Sequence, residues 1–225
     1  MNTPIVQSTE GVTLAGGASF SRELLAFALG FAPFAAAADS GADRLLRLGC
    51  EPRAVIGDLD SISPRARARL EGRLFPIAEQ ITTDFDKALR SIAAPFVLGL
   101  GFLGGRLDHE LAALNSLGQH PDRICLLLGA RDLAFLAPPE ITLRLRPGSR
   151  LSLFPLGPVR GESQGLRWPI QGLDFAPMGM IGTSNEVTAP EVRLRFDRAG
   201  MIVILPRSAM ARALDGLLPT GVRGR

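Results

Sequence analysis

Aspartate is the residue whose placement in this sequence invites chemistry. Asp39 ends the apolar run 34–38, Asp58 and Asp60 follow residues 54–56 in GDLDS, Asp84 opens the helical part of TTDFDKAL, and Asp108 lies between GFLGGR and HELAALNSL. Each stands where a strand-like run gives way to a helical pattern. In an open parallel sheet such junctions share one edge, and ligands bind in the crevice there. Four loops would then bring these five carboxylates together. Asp58 and Asp60 are two residues apart, so on an extended segment both would point to one side. Carboxylates that close repel one another unless a cation lies among them. A hard divalent ion with oxygen ligands meets that need, and Mg²⁺ commonly arrives with a phosphate substrate.

Other residues near the same edge carry two readings each. Lys87 is the only lysine among 25 cations; it is either a phosphate ligand, as a compact ammonium on a flexible stem, or part of a solvated helix face. Gly99, Gly101 and Gly104 fit GxGxxG after a strand, which suggests a dinucleotide turn. The following helix starts only after Arg106-Leu107-Asp108, however, so a loop offering backbone N–H groups and Arg106 to a phosphate fits better. Helix starts also favour Asp, Ser and Thr for capping. Ser40-x-x-Asp43 and Thr83-x-x-Asp86 resemble capping boxes, and Ser63-Pro64 a cap with proline in the first turn. These account for Asp43 and Asp86, but not for Asp39, Asp58 or Asp60; Asp108 is either a cap or a site residue.

The elements that position these residues follow from the apolar pattern. Strands are expected at 12–14, 34–38, 54–56, 96–100 and 124–128, with helices at 21–29, 41–48, 64–70, 84–92 and 108–117 between them. Such alternation predicts a parallel sheet with helices on its faces. After Pro138-Pro139, residues 141–145, 150–154 and 192–196 alternate apolar and polar, and a turn at 197–200 leads into the run 201–205. Period two with Pro/Gly punctuation predicts antiparallel sheet. The expected architecture is therefore an α/β domain at 1–138 and a smaller antiparallel β domain at 139–225. The tail after Pro206 is polar and Arg-rich, with one short helix expected at 209–217.

Composition narrows the function classes. The chain has 225 residues, 46% hydrophobic and 21% charged, with 25 Gly and 17 Pro, which predicts an ordered, turn-rich globular protein. Cys50 and Cys125 belong to no metal-binding pattern and should be free thiols in a reducing, cytoplasmic setting. The charge-free stretch 24–38 is fifteen residues long, short of a membrane span, and reads as a helix turning into a buried strand. Despite a pI near 9.6 no run of five cations marks a nucleic-acid arm. Neither a membrane nor a nucleic acid is expected as partner.

Six strings, in order, carry a resemblance: ADSGADRLLRLG, IGDLDSIS, QITTDFDKAL, GFLGGRLDHELAAL, LRWPI and GTSNE. Over residues 12–206 the chain resembles the thiamine pyrophosphokinases. The resemblance implies a homodimer of N-terminal α/β domains and C-terminal β-sandwiches, which transfers the pyrophosphoryl group of ATP to the hydroxyl of thiamine and releases AMP. It assigns Mg²⁺ and the ATP phosphates to Asp39, Asp58, Asp60 and Asp84, with Asp58, Asp60 and Asp84 as the expected metal ligands. Gln80, Thr83, Lys87, Gly104, Gly105, Arg106 and Asp108 match positions near the nucleotide. Ser184 and Asn185 match a pair near the thiamine site, placed at the dimer interface. Trp168 matches a recurrent tryptophan and reads physically as a core anchor. Ser40 departs from the usual glycine, Asp43 from asparagine, and Ile81 from a frequent aspartate.

On this reading Asp58, Asp60, Asp84, Lys87 and Asp108 are the candidate catalytic groups, and one Asp takes the hydroxyl proton. Three rivals stand beside it. One is a pterin-type diphosphokinase acting on another alcohol, against which LRWPI and GTSNE argue. The others are a dinucleotide-dependent oxidoreductase resting on GxGxxG and a polyanion binder resting on the pI.

Overall fold

Short, wholly apolar runs joined by capped helical segments build the first half of the chain, in a computed structural model that describes residues 3–219. Two units result. The first extends through Ser116 and includes Cys125–Ala130; the second holds Leu117–Ile124 and the chain from Arg131 onward.

The first unit contains β1 (Val6–Gln7), β2 (Val12–Ala15), α1 (Arg22–Leu29), β3 (Phe34–Ala38), α2 (Gly41–Arg47), β4 (Ala54–Gly57), α3 (Pro64–Arg69), β5 (Leu74–Pro76), α4 (Asp84–Arg90), β6 (Ile92–Ala93), β7 (Val97–Leu100), the start of α5 (Leu107–Gln119) and β8 (Cys125–Leu128). Strands β2, β7 and β8 pair in parallel, as do β3, β4 and β5. β3 lies beside β2, where Val12 bridges Pro33. Every residue of β2, β4, β7 and β8 is buried, as a parallel sheet covered on both faces requires. Each expected strand and helix of this half appears within a few residues of its expected ends. The expectation missed β5 and the two-residue β1–β6 pair, which are too short to show a period.

The caps divide the capping expectations. Ser63 Oγ accepts the Ala66 N–H at 3.1 Å and Thr83 Oγ1 the Asp86 N–H at 3.3 Å, as expected. Ser40 makes no side-chain cap bond. Asp43 instead accepts the Ser63 N–H at 2.9 Å and the Ser63 hydroxyl, so it ties α2 to the start of α3. The charge-free stretch 24–38 is the end of α1 followed by β3, and no helix among the described residues is long and apolar enough to cross a membrane. Cys50 and Cys125 are free.

The second unit contains β9 (Asp132–Leu136), β10 (Glu140–Arg144), β11 (Arg150–Pro155), β12 (Val159–Gln164), β13 (Asp174–Phe175), β14 (Gly182–Glu186), β15 (Glu191–Phe196), β16 (Met201–Pro206) and α6 (Met210–Leu217). Two antiparallel sheets form, ordered β9–β16–β11–β14 and β10–β15–β12–β13. Alternate residues of β10 and β15 are buried, Ile141, Leu143, Val192, Leu194 and Phe196 among them, which is the period-two pattern realised. β9 belongs to this unit and precedes the Pro138-Pro139 break. α6 realises the short helix expected at 209–217, and it packs on β10: a Cβ on Gly216 would meet the Thr142 carbonyl oxygen at 2.8 Å. The end of the polar tail, from residue 220, lies outside the described residues.

Candidate active site

The carboxyl ends of β2, β3, β4 and β7, with the loop after β5, surround one cavity of about 530 Å³. The strand order passes from β5 through β4 and β3 to β2 and then to β7 and β8, so the connections leaving the neighbours β2 and β7 run in opposite directions. A parallel sheet opens its ligand crevice where the order reverses in this way. Close backbone approach makes the crevice possible. A Cβ on Gly41 would strike the Ala15 carbonyl oxygen at 2.0 Å, and one on Gly57 would meet Asp84 Oδ1 at 2.9 Å. Glycine in IGDLD therefore leaves room for a carboxylate.

Asp39, Asp58 and Asp60 each offer a carboxylate oxygen within 4.8 Å of the others. Asp39 is buried, and among the described residues its Oδ1 has no hydrogen-bond partner. Burial, then the charge of Asp84, pushes the Asp39 carboxyl above the ordinary range. An unpartnered buried acceptor among like charges is costly; a hard cation with oxygen ligands fits the donor set. Asp58 and Asp60 do not converge by extended geometry, as the two-residue spacing suggested. Leu59 between them has φ 64°, and the Asp60 N–H turns back onto Asp58 Oδ1 at 3.3 Å. The Arg67 guanidinium donates to the Leu59 carbonyl and holds this turn. Asp84 lines the same cavity beside the group and accepts the Asp58 N–H at 3.3 Å.

Lys87 is not on a solvated face. It is 1% exposed and donates to Asp58 Oδ2 at 3.0 Å and Asp84 Oδ1 at 3.1 Å. Burial disfavours its charge, but the two carboxylates outweigh that and hold the ammonium above its usual pKa. Burial likewise opposes ionisation of Asp58. The Lys87 hydrogen bond, the Asp60 N–H, the Lys87 charge and the Gln80 amide, at 3.3 Å, together hold the carboxyl below its usual range. The lysine thus neutralises the floor of the acidic group while still lining the cavity.

The glycine-rich loop contributes Gly101, Phe102, Gly105 and Arg106 to the lining. α5 opens at Leu107, after the glycines, which is not the dinucleotide turn that GxGxxG suggested. Gly104 has φ 80°, and Gly105 donates its N–H to Glu110 at 2.8 Å, closing the loop on the helix. Asp108 is neither the cap of α5 nor part of the carboxylate group. It lies in the first turn, exposed, and binds Arg106 at 2.6 Å, which holds its carboxyl below the usual range. Gln80 and Thr83 also line the cavity. Reading the sequence missed Gly16 and Gly17 after β2, visible as a glycine pair closing a strand, and Ser61, His109 and Glu110, for which no sequence signal stood out.

In the second unit Ser184 and Asn185 lie on β14. Asn185 is buried; its Nδ2 donates to the Trp168 carbonyl at 2.6 Å, and its Oδ1 accepts the N–H groups of Trp168 at 3.2 Å and Glu186 at 2.8 Å. Ser184 has φ 61° and donates its N–H to Ser152 Oγ at 2.9 Å. Trp168 is no core anchor: it is 55% exposed, with the Arg167 guanidinium 5.1 Å from its ring centre. Among the described residues, the non-glycine residues with positive φ are Asp39, Leu59 and Ser184. Each sits in or beside a motif singled out for chemistry, and backbone strain of this kind gathers at functional sites.

The model of the thiamin pyrophosphokinase catalytic domain matches residues 28–126, and that of the family's vitamin B1 binding domain matches residues 140–200. Together they cover well over half of the chain. The chain belongs to the thiamin pyrophosphokinase family. It is 30% identical over 172 residues to thiamine pyrophosphokinase 1 of Oryza sativa subsp. japonica, an alignment covering 68% of this chain and 65% of that protein. The chain thus spans slightly less than two thirds of that relative. Among solved structures, the thiamin pyrophosphokinase from Candida albicans superposes with a TM-score of 0.74 at 16% identity, covering 91% of this chain and 93% of that one. The thiamin pyrophosphokinase from Geobacillus thermodenitrificans gives 0.69 at 21%, covering 87% and 96%. These two likenesses establish the family's α/β-plus-antiparallel-sheet fold.

Proposed function

We propose that the protein transfers the pyrophosphoryl group of ATP to the hydroxyl of thiamine, giving thiamine pyrophosphate and AMP. The observation that carries this reading is the group of Asp39, Asp58 and Asp60 around an unpartnered buried oxygen, in a chain matched by both domain models of the family. Residues 1–138 are read as the ATP and Mg²⁺ domain and residues 139–225 as the thiamine-binding domain. Asp39, Asp58 and Asp60 would hold Mg²⁺, with Asp84, expected from the sequence as a ligand beside Asp58 and Asp60, at the wall of the same cavity. When bound, the ion neutralises charge on the phosphate oxygens. Lys87, bound to both Asp58 and Asp84, fixes Asp58 and keeps it ionised.

Arg106, at the cavity wall, is the free end of an exposed pair and can leave Asp108 for a phosphate oxygen, since an exposed ion pair holds only weakly. Gln80, Thr83, Gly104 and Gly105 complete the nucleotide's surroundings. Transfer of this kind asks mainly for positioning and electrostatic stabilisation, and a buried cation beneath a carboxylate group supplies both. An aspartate of the group accepts the thiamine hydroxyl proton. Ser184 and Asn185 mark the thiamine side, which a homodimer would complete, and the setting is cytoplasmic. Phosphorus NMR of protein with MgATP and thiamine tests the reading. AMP and thiamine pyrophosphate are expected; ADP with a monophosphate, or no thiamine-dependent product, would contradict it.

A further inference from the structure

Glu79 does not line the cavity, yet it shapes one wall of it. Its carboxylate accepts the N–H groups of Ile81 at 2.8 Å and Thr82 at 3.1 Å, the Thr82 hydroxyl, and the Arg90 guanidinium at 2.7 Å. The segment it gathers has little else to hold it. Ile81 at the tip is 94% exposed, and no backbone-to-backbone hydrogen bond outside the regular elements involves residues 79–82 among those described. The same segment carries Gln80, whose amide reaches Asp58 Oδ2, and leads directly into Thr83, the cap of the helix bearing Asp84 and Lys87. Thr82 and Thr83 face the cavity.

We propose that Glu79 is a positioning residue for the bound magnesium-nucleotide, fixing the 80–83 loop so that Gln80 and Thr83 hold Asp58 and α4 in their binding geometry. This rests on the reading that a magnesium-nucleotide occupies the cavity. The Thr82 hydroxyl and then the backbone N–H groups and Arg90 pull the Glu79 carboxyl down to about 2. It therefore stays ionised throughout any neutral assay, and its effect is independent of pH there. Residues that orient a ligand set from behind typically change metal affinity or activity by 10–100-fold when removed.

The test uses Glu79→Ala and Glu79→Gln in the full chain. MgATP binding is measured by calorimetry without thiamine, and KM for each substrate in steady state. Glu79→Ala should weaken MgATP binding and raise its KM by about tenfold, with the thiamine KM unchanged. Glu79→Gln, which keeps an acceptor for the N–H groups, should show a smaller defect of the same kind, constant from about pH 6 to 9. Wild-type MgATP affinity in both variants would overturn the proposal. So would a parallel rise in both KM values that merely tracks a lowered Tm. Should Glu79→Ala fail to fold, Glu79→Gln decides alone. Wild-type protein that binds MgATP but forms no thiamine pyrophosphate would contradict the proposed reaction, and the binding arm would still judge Glu79.

Discussion

In the first unit, carboxylates from separate loops crowd together and one buried oxygen of Asp39 is left without a partner. In the second, Asn185 commits both ends of its amide to Trp168 and Glu186. Both motifs were singled out in the sequence, but they behave differently in the fold. Apart from the Asp58–Lys87 pair, the aspartate group is costly: like charges repel and a desolvated acceptor goes unpaired. A cation bound there would relieve both costs. Asn185 already has a structural purpose, since it holds the backbone of Trp168.

The largest effect that would sharpen this contrast is on turnover. Asp58→Asn should lower kcat by about a thousandfold, with the circular dichroism spectrum unchanged; retained activity would remove the carboxylate group from the chemistry. Next comes Lys87→Met. Taking one partner from a buried pair costs about 3 kcal/mol, so urea unfolding should show a loss of that order, far more than an exposed lysine would give. Asn185→Ala should cost about 1–3 kcal/mol through the orphaned Trp168 backbone groups. It should raise the thiamine KM and leave MgATP binding alone; a defect confined to MgATP would break the division between the units.

The smallest effect is acid stability. Glu79 has its pKa lowered from 4.5 to about 2. Its contribution is therefore present above about pH 4.5 and is lost as pH falls toward about 2. Over that window the wild-type Tm should fall more steeply than that of Glu79→Gln. Equal slopes would mean that the carboxylate is not held as described.

The parallel-sheet half was legible because its strands are buried on both faces and its helices begin at Ser21, Ser63 and Thr83, whose side chains cap as their types suggest. Strands β1, β5, β6, β9, β12, β13 and β14 were not read. β5, with three residues, and β13, with two, are too short to show a period, while Arg160, Glu162 and Gln164 make β12 look like loop and only Asn185 is buried in β14. The site's residue types were legible at strand ends. Their side-chain geometry was not, because it depends on left-handed backbone turns at Asp39 and Leu59, which are uncommon outside glycine. Lys87 kept two readings, phosphate ligand or solvated face, because helix periodicity alone does not reveal the Asp58 carboxylate arriving from another loop. Asp43 looked like a cap because its partner, Ser63, lies twenty residues away.

The most direct test of the account is cation binding at the carboxylate group. Electron paramagnetic resonance with Mn²⁺ as the probe, in the presence of ATP, should show a protein-bound ion in the wild type. Asp39→Asn, Asp58→Asn and Asp60→Asn should each weaken it, and the triple variant should abolish it while remaining folded. Undiminished Mn²⁺ binding by the folded triple variant would contradict the claim that these three aspartates are the metal site.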